Sequence, residues 1–405
     1  MKTKKLKKFD YEKFEEEAIK QLYENKELIG KGGILAPLIK RFYEAALEGE
    51  SDHFHEETTT KNRRNGKSYK KVRTTSGEVE IGTPRDRNGD FDPHILKKRQ
   101  RRIVPGMEEK IISMYTRGMS YRDIQSQIEE IYGVSIATGA ITQVTDRVID
   151  DMKAWQNRPL ERLYTIIWMD AIHIKVVQER QVVSKAIYLV IGVNQDGMKD
   201  LLGMYIGASE SAKFWQNDVL NNLKHRGVED ILFCCIDNLS GLKNAIKAAF
   251  PETKVHLCVV HQIRNSLKYV SNKERKEVMK DIRPIYKAVS VDKAREALLK
   301  LEQKWGEKHS HMVKSWVKNF DFLCFSIDYS PEIRRLIYTT NPIESFNSVI
   351  RKVTKTKRVF HSNNSVLKTI YLIYKQFTKK NWTKAPTSWT KIRAQLAIEF
   401  EGRFD

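Results

Sequence analysis

The sequence lacks most marks of an exported or membrane-bound protein. No apolar run is long enough to cross a bilayer, and no signal-peptide pattern follows the basic start Met1-Lys-Thr-Lys-Lys-Leu-Lys-Lys. Cysteine is scarce: Cys234, Cys235, Cys258 and Cys324 are the four among 405 residues, and their spacing frames no disulfide network. Cys234 and Cys235 sit inside an apolar run and read as buried thiols, which suits a reducing cytoplasm. A cytoplasmic protein with no membrane partner is the expectation. Acidic side chains are also in deficit, with 51 Asp and Glu against 72 Lys and Arg, a net charge of +21. That excess attracts polyanions, and nucleic acid is the leading class of partner.

What is present is enough to fold. The chain is 40% apolar, and its length allows two to four domains. Residues 1–60 read as helical, with Leu35, Leu38, Ile39, Phe42 and Ala46 at helical spacing after the break at Gly30-Lys-Gly-Gly33. Residues 61–105 read as a basic arm or small β-element. Between 61 and 102 there are 14 basic and 5 acidic residues, and Gly77-Glu-Val-Glu-Ile-Gly82 has the texture of a short strand. Arg63, Arg64 and Lys67 are candidate phosphate contacts there, with a solvated linker as the alternative.

Residues 106–155 read as helix-turn-helix. Glu108 to Arg117 is one helix. Ser120 caps a second over Tyr121 to Tyr132, with Ile124, Ile128 and Ile131 on one face. Gly133-Val-Ser makes the turn, and Ala140 to Met152 supplies the next helix. Such a turn lays the following helix in the DNA major groove, although three-helix elements serve other ends too.

From residue 163 strands and helices alternate. Strands are expected at Leu163 to Val177, Ser184 to Val193, Leu201 to Ile206, Ile231 to Asp237 and Val255 to Val260, with helices over Phe214 to His225 and Gly241 to Phe250. Three antiparallel strands followed by α-β-α-β is the order of a ribonuclease-H-like mixed sheet. The expected fold class is therefore α/β: such a sheet over 160–262 and 331–380, interrupted by an all-α insertion at 263–330, preceded by the mostly helical N-terminal region and followed by a tail at 381–405. Trp316 in the insertion reads as core before it reads as a base-stacking platform.

Two strands end in an acid, Trp168-Met-Asp170 and Cys235-Ile-Asp237. If those strands are neighbours, the carboxylates face one another, and like charges side by side call for a cation. Hard oxygen donors suit Mg²⁺ or Mn²⁺, and a third carboxylate would complete a site for two ions serving in-line displacement at phosphorus. The third candidate is Glu344, in the first turn of a helix that Pro342 opens and Asn341 caps. Spacing alone leaves Glu344 equally open to countering the helix dipole. His173 alternates to the opposite sheet face from Asp170.

The blocks Asn62-Arg-Arg-Asn-Gly66, Gly77-Glu-Val-Glu-Ile81, Pro84-Arg-Asp-Arg-Asn-Gly89, Asp170-Ala171, Ile236-Asp-Asn-Leu-Ser-Gly-Leu242, Cys258-Val-Val-His-Gln-Ile-Arg-Asn265 and Thr340-Asn-Pro-Ile-Glu-Ser-Phe-Asn347 together resemble the Mutator-type transposases of bacterial insertion sequences, a branch of the DDE superfamily. The resemblance runs over nearly the whole chain. The gaps between acids, 237 − 170 = 67 and 344 − 237 = 107, are similar to that family's plan. The resemblance implies a catalytic triad of Asp170, Asp237 and Glu344 holding two Mg²⁺ or Mn²⁺ ions. It implies cleavage at terminal inverted repeats, attack of a 3′-hydroxyl on target DNA, and a circular intermediate. It further implies a nucleoid-associated protein of a bacterial cytoplasm. Double-stranded DNA is the expected partner, and joining two ends calls for at least a homodimer. Cys258 and His261 are expected to support the acids from behind, since structural zinc would need a second Cys/His pair. Arg264, Arg351, Lys352, Lys355, Lys357 and Arg358 are candidate phosphate contacts near the cut; nine Lys or Arg and no acid fall between 351 and 380. The rival readings are a DNA-binding protein without catalysis, such as an inactivated transposase acting as repressor, and a nuclease or resolvase on the same sheet.

Overall fold

The computed structural model describes residues 10–28, 32–57, 62–74, 77–98, 102–103, 106–132, 135–338 and 341–404. They form two units, Met1–Tyr115 with Met119–Thr145, and Thr116–Gly118 with Asp146–Asp405.

The first unit opens with α1 (Tyr11–Tyr23), capped by the Asp10 carboxylate, which accepts from the Lys13 N–H at 3.1 Å. The helix α2 (Ala36–Glu57) packs Ala36, Ile39, Tyr43 and Leu47 against Val72, Val79, Ile81 and Leu96. Phe42, read as part of that face, is 59% exposed, so the packed face is rotated toward Tyr43. The basic stretch folds as a small sheet: β1 (Arg64–Thr74) pairs antiparallel with β2 (Gly77–Asp86) and parallel with β3 (Arg102–Ile103). Val72, Val79 and Ile81 supply its buried face, while Lys71 is exposed and Lys67 and Lys70 are half-buried. Three helices follow: α3 (Met107–Thr116), α4 (Tyr121–Tyr132) and α5 (Thr138–Asp146). Ser120 Oγ accepts from the Asp123 N–H at 3.2 Å while Asp123 accepts from the Ser120 N–H at 3.0 Å, a reciprocal cap. Ile124 and Ile128 are buried and Ile131 is exposed. Gly133 and Val134 of the expected turn lie outside the described residues, as do Gly30 and Lys31 of the earlier break and Lys61 of the arm. The helix expected over Ala140 to Met152 is interrupted at Arg147, where α5 gives way to α6 (Val148–Gln156) of the second unit.

The second unit is built on a six-stranded mixed sheet. Its strands are β4 (Leu163–Gln178), β5 (Gln181–Val193), β6 (Lys199–Gly207), β7 (Asp230–Ile236), β8 (Lys254–Leu257) and β9 (Val359–Phe360). The order is β6-β5-β4-β7-β8, with β9 also pairing β4. β5 lies antiparallel to β4 and β6, whereas β7 runs parallel to β4 and β8. The first half of β4 is apolar on both sides because helices cover both faces there. Beyond Asp170 the pattern alternates: Ile172, Ile174 and Val176 are buried while His173 and Lys175 face solvent. Between β6 and β7 run α7 (Ala212–Phe214), a π-helical turn (Trp215–Leu220) and α8 (Asn221–His225); α9 (Leu242–Ala249) links β7 to β8.

The segment 263–330 is helical, as its texture suggests. It comprises the end of α10 (Val259–Leu267), then α11 (Arg275–Tyr286), α12 (Val291–Trp305), α13 (Ser310–Cys324) and a 3₁₀ turn. Val278, Ile282, Leu301 and Trp316 join one apolar cluster with Tyr188, Trp215 and Ile236 on one face of the sheet. Trp316 is fully buried and donates its indole N–H to Ser266 Oγ at 2.9 Å, so it is a core residue. The opposite face is covered by α6, α14 (Pro331–Tyr338), α15 (Asn341–Lys357), α16 (Asn363–Asn381) and α17 (Trp389–Glu399). The segment 381–405, read as a tail, contributes Trp389, Ile392, Leu396, Phe400 and Phe404 to that core. Trp389 packs on Gly197 and donates to the Gln195 carbonyl at 2.9 Å, pinning α17 to the β5–β6 turn.

Candidate active site

The register of β4 on β7 pairs Trp168 with Cys235 and Met169 with Ile236. One residue further along both chains stand Asp170 and Asp237. β7 ends at Ile236, so Asp237 opens the loop into α9 while Asp170 remains inside the longer strand. Neighbouring parallel strands thus bring together two acids that are 67 positions apart.

Their surroundings disfavour charge. Burial pushes the Asp170 carboxyl up to about 6; His261 opposes the rise and Asp237 adds to it. Burial likewise raises Asp237, with His261 and the Leu239 N–H pulling the other way. Two hydrogen bonds orient Asp170. Its Oδ1 accepts from the Ala171 N–H at 2.9 Å, and its Oδ2 accepts from Asn347 Nδ2 at 2.6 Å. Asn347 is buried, and among the described residues its Oδ1 has no hydrogen-bond partner.

Asn347 comes from α15, which packs Ile343, Phe346, Ile350 and Val353 into the core. Glu344, Asn347 and Arg351 recur at i, i+3 and i+7, so they share a helix face. Asn347 touches Asp170, and Arg351 lies close enough to lower its pKa. Glu344 is half-buried in the first turn. The helix begins at Asn341, so the cap position falls on Thr340, outside the described residues with Thr339. Cys258 lies in the field of both Glu344 and Asp170. Burial raises its thiol, the His261 and Val260 N–H groups oppose this, and the charges of Glu344 and Asp170 both add to it.

Cys258 stands between β8 and α10 as the cap residue of the helix, its N–H bonded to the Ile236 carbonyl at 2.8 Å. The strand expected over Val255 to Val260 therefore stops at Leu257, because the chain turns helical to place His261 one turn in. His261 Nδ1 is buried without a hydrogen-bond partner among the described residues. Among the described residues no three His, Cys, Asp or Glu side chains form a group arranged to hold one metal ion. The residues there that could hold an ion are Asp170 and Asp237, whose carboxylate oxygens are hard donors of the type that Mg²⁺ and Mn²⁺ take.

The basic candidates divide. Arg264 on α10 and Arg351, Lys352, Lys355 and Arg358 around α15 are exposed. Lys357 is turned inward over the Phe360 ring at 4.8 Å, and burial with the nearby Lys368 lowers its pKa to about 8. In the first unit Arg63 is exposed just before β1, but Arg64 pairs with Asp52 and with Glu48 at 3.7 Å, and Lys67 pairs with Glu48 at 2.6 Å. Sequence reasoning passed over Asn347, although its place three residues after Glu344 puts it on the same face.

Two half-buried acids on neighbouring parallel strands, with Asn347 of α15 bonded to one of them, make up the core of the site. Residues 11–385 match the model of the family described as transposase, Mutator family, and the chain belongs to that family. It is 40% identical over 383 residues, 93% of this chain and 95% of the relative, to a probable transposase for insertion sequence element ISRM3-like of Sinorhizobium fredii. The transposase for insertion sequence element ISRM3 of Rhizobium meliloti is similar at 40% identity, with 93% and 95% covered. A probable insertion-sequence transposase of Corynebacterium diphtheriae is 35% identical, with 79% of this chain and 98% of the relative covered. No helix among the described residues is long and apolar enough to cross a membrane.

Proposed function

We propose that this chain is a DNA transposase of the DDE type, with Asp170, Asp237 and Glu344 as its acids and two Mg²⁺ or Mn²⁺ ions as its cofactor. It binds the terminal inverted repeats of an insertion sequence as double-stranded DNA, cuts there and joins the freed 3′ end to target DNA. At least two copies act together to hold two ends. The strand order, with an antiparallel β6-β5-β4 half and a parallel β4-β7-β8 half, supports a ribonuclease-H-like reading of the sheet. The observation that carries the proposal is the meeting of Asp170 with Asp237, in one another's field and tied to the Glu344 helix through Asn347.

Bound divalent ions would supply activation of the attacking oxygen and stabilisation of the leaving oxygen. The rest falls to side chains. Asp170 and Asp237 would hold the ions from the sheet, and Glu344 would close the set from α15. Asn347 fixes one rotamer of Asp170. Cys258 and His261 fix the start of α10 behind the pair, and His261 tempers its negative charge. Arg351 is placed to meet a phosphate beside Asp170, and Arg264, Lys352, Lys355 and Arg358 would extend that contact along the DNA.

A second reading, a DNA-binding protein without catalysis, draws on the lack of a three-residue metal group among the described residues. Incubation with Mg²⁺ and a duplex carrying the element's end separates the two. Wild type is expected to nick and join. Asp170→Asn, Asp237→Asn and Glu344→Gln should each lower the rate by more than about a thousandfold while retaining DNA binding. Alanine at both Cys258 and His261 should cost about ten- to a hundredfold. Nicking by all three acid variants would refute the assignment.

A further inference from the structure

The helical insertion carries charge that the acid site does not use. On α11 the buried residues Val278, Ile282 and Ile285 set the inner face. Lys276, Lys280, Arg283 and Lys287 recur at i, i+4, i+7 and i+11, which centres them on the side opposite. All four are exposed, and Lys287 is the residue that ends the helix. The acids beside them lie on the flank toward α12 and are matched there. Lys304 pairs with Glu277 at 2.8 Å and with Asp281 at 2.7 Å, and Lys308 pairs with Glu274 just before α11. The Trp305 indole N–H also donates to Asp281 at 2.8 Å. Among the described residues none of the four outer side chains makes a hydrogen bond or an ion pair; Lys280 only lies in the field of Asp281.

The fold gains nothing from this row. Like charges three and four positions apart destabilise a helix. The helix dipole favours bases at the C-terminal end, which covers Arg283 and Lys287, but Lys276 stands in the first turn, where a base is unfavourable. Nor is the row the common solvated face of this insertion: α12 exposes Asp292, Glu296 and Glu302 among its bases. From Lys276 to Lys287 the row is about 16 Å long. Duplex DNA carries a phosphate charge about every 1.7 Å along its axis, so several phosphates fall within that length.

We propose that the outer face of α11 is a docking surface for the sugar-phosphate backbone of double-stranded DNA. The inference rests on the DNA-acting function proposed above and adds to it a surface on the insertion, apart from the bases around α15. The chain reaches α11 from α10, whose first turn carries His261, so this face belongs to the segment that grows out of the acid site. The insertion is then a DNA-binding element as well as a cover for the sheet. Contacts of this kind hold and orient the duplex without reading its sequence.

The test is duplex binding by the full chain, followed by fluorescence anisotropy over a range of salt on a labelled duplex of mixed sequence. Wild type is compared with the combined variant Lys276→Ala, Lys280→Ala, Arg283→Ala and Lys287→Ala. A control removes equal charge from exposed bases on α13 and α17: Lys314→Ala, Lys318→Ala, Lys391→Ala and Arg393→Ala. The α11 variant should bind at least about tenfold more weakly near physiological salt, and its slope of log K against log salt should shrink by about 3. The control should keep that slope within about 1 of wild type. The melting temperature of the α11 variant should stay at or above the wild-type value, since alanine relieves the repulsion and favours helix. If wild type binds the duplex and the α11 variant keeps its slope, or the control loses as much, the docking surface falls and the proposed function stands. A lowered melting temperature in the α11 variant overturns it too, by giving the row a structural role. If wild type shows no salt-dependent duplex binding, the DNA-acting function fails and this surface with it.

Discussion

Asp170 is placed against its own solvation preference. An ordinary aspartate ionises near 4, and this one is held up to about 6 by burial first and by Asp237 besides. At neutral pH the native protein therefore carries a charge that the unfolded chain would carry more easily. The sign follows. Below about 6 native Asp170 takes up a proton that the unfolded chain binds only near 4, so its penalty fades as pH falls through that window. Asparagine in its place keeps one acceptor oxygen for the Ala171 N–H, meets the Asn347 Oδ1, unpartnered among the described residues, with its own amide N–H once the Asn347 amide flips, and loses the charge. In metal-free buffer at pH 7.5, Asp170→Asn should be more stable than wild type by about 2 kcal/mol, with the gap closing toward pH 5. Thermal melts of the two proteins across that range check it; a less stable variant at pH 7.5 would mean the carboxylate is not strained. The acids themselves were legible as charges ending apolar strands. Asn347 was not, because an asparagine in a helix is ordinary until the fold sets it beside an acid.

At the scale of elements, apolar runs and their alternation were enough to find β4, β6 and β7. What they missed has local causes. β5 starts at Gln181, earlier than Ser184, because β4 and β5 form a hairpin whose turn residues Glu179 and Arg180 have φ of 50° and 65°. Such turns usually announce themselves with Asn-Gly, and here two long charged residues take the left-handed conformation. The N-terminal β-element depends on one buried aspartate in the same hidden way. Burial would raise Asp86, but hydrogen bonds from Asn62 Nδ2 at 2.7 Å, the Asp90 N–H at 2.8 Å and the Phe91 N–H at 3.2 Å outweigh it and bring the carboxyl down to about 2. Its contribution is complete above the unfolded value near 4 and is lost as pH falls toward 2. Asp86→Ala should cost about 2 kcal/mol at pH 7. Pepsin cleavage within residues 62–98 should accelerate between pH 4 and 2 in wild type and already be fast at pH 4 in the variant. An equal rate for both at pH 4 would remove Asp86 from the account.

For the whole molecule, the charge of +21 pointed to a polyanion without saying which of the 72 basic residues would meet it. Folding sorts them, and sequence could not, because the sorting depends on contacts between distant segments. The break between units at Thr145 and Asp146, inside what reads as one helix, is hidden for the same reason, as is the packing of α17 into the core. Arg64 and Lys67 are committed to Glu48 and Asp52 within their own unit, and Lys357 lies over Phe360. Lys352, Lys355 and Arg358 remain exposed around one helix end. A side chain already neutralised by an acid releases few counterions when DNA arrives, whereas an open one releases about one. Replacing Lys352, Lys355 and Arg358 together by alanine should therefore reduce the slope of log K against log salt by about 2 to 3. Replacing Arg64 and Lys67 should leave that slope within about 1 of wild type and instead loosen the β-element. Binding isotherms of the three proteins on one duplex at several salt concentrations decide between them. A larger slope change from the Arg64 and Lys67 pair would mean that DNA displaces Glu48 and Asp52, and the basic arm would then be the principal grip on the double helix.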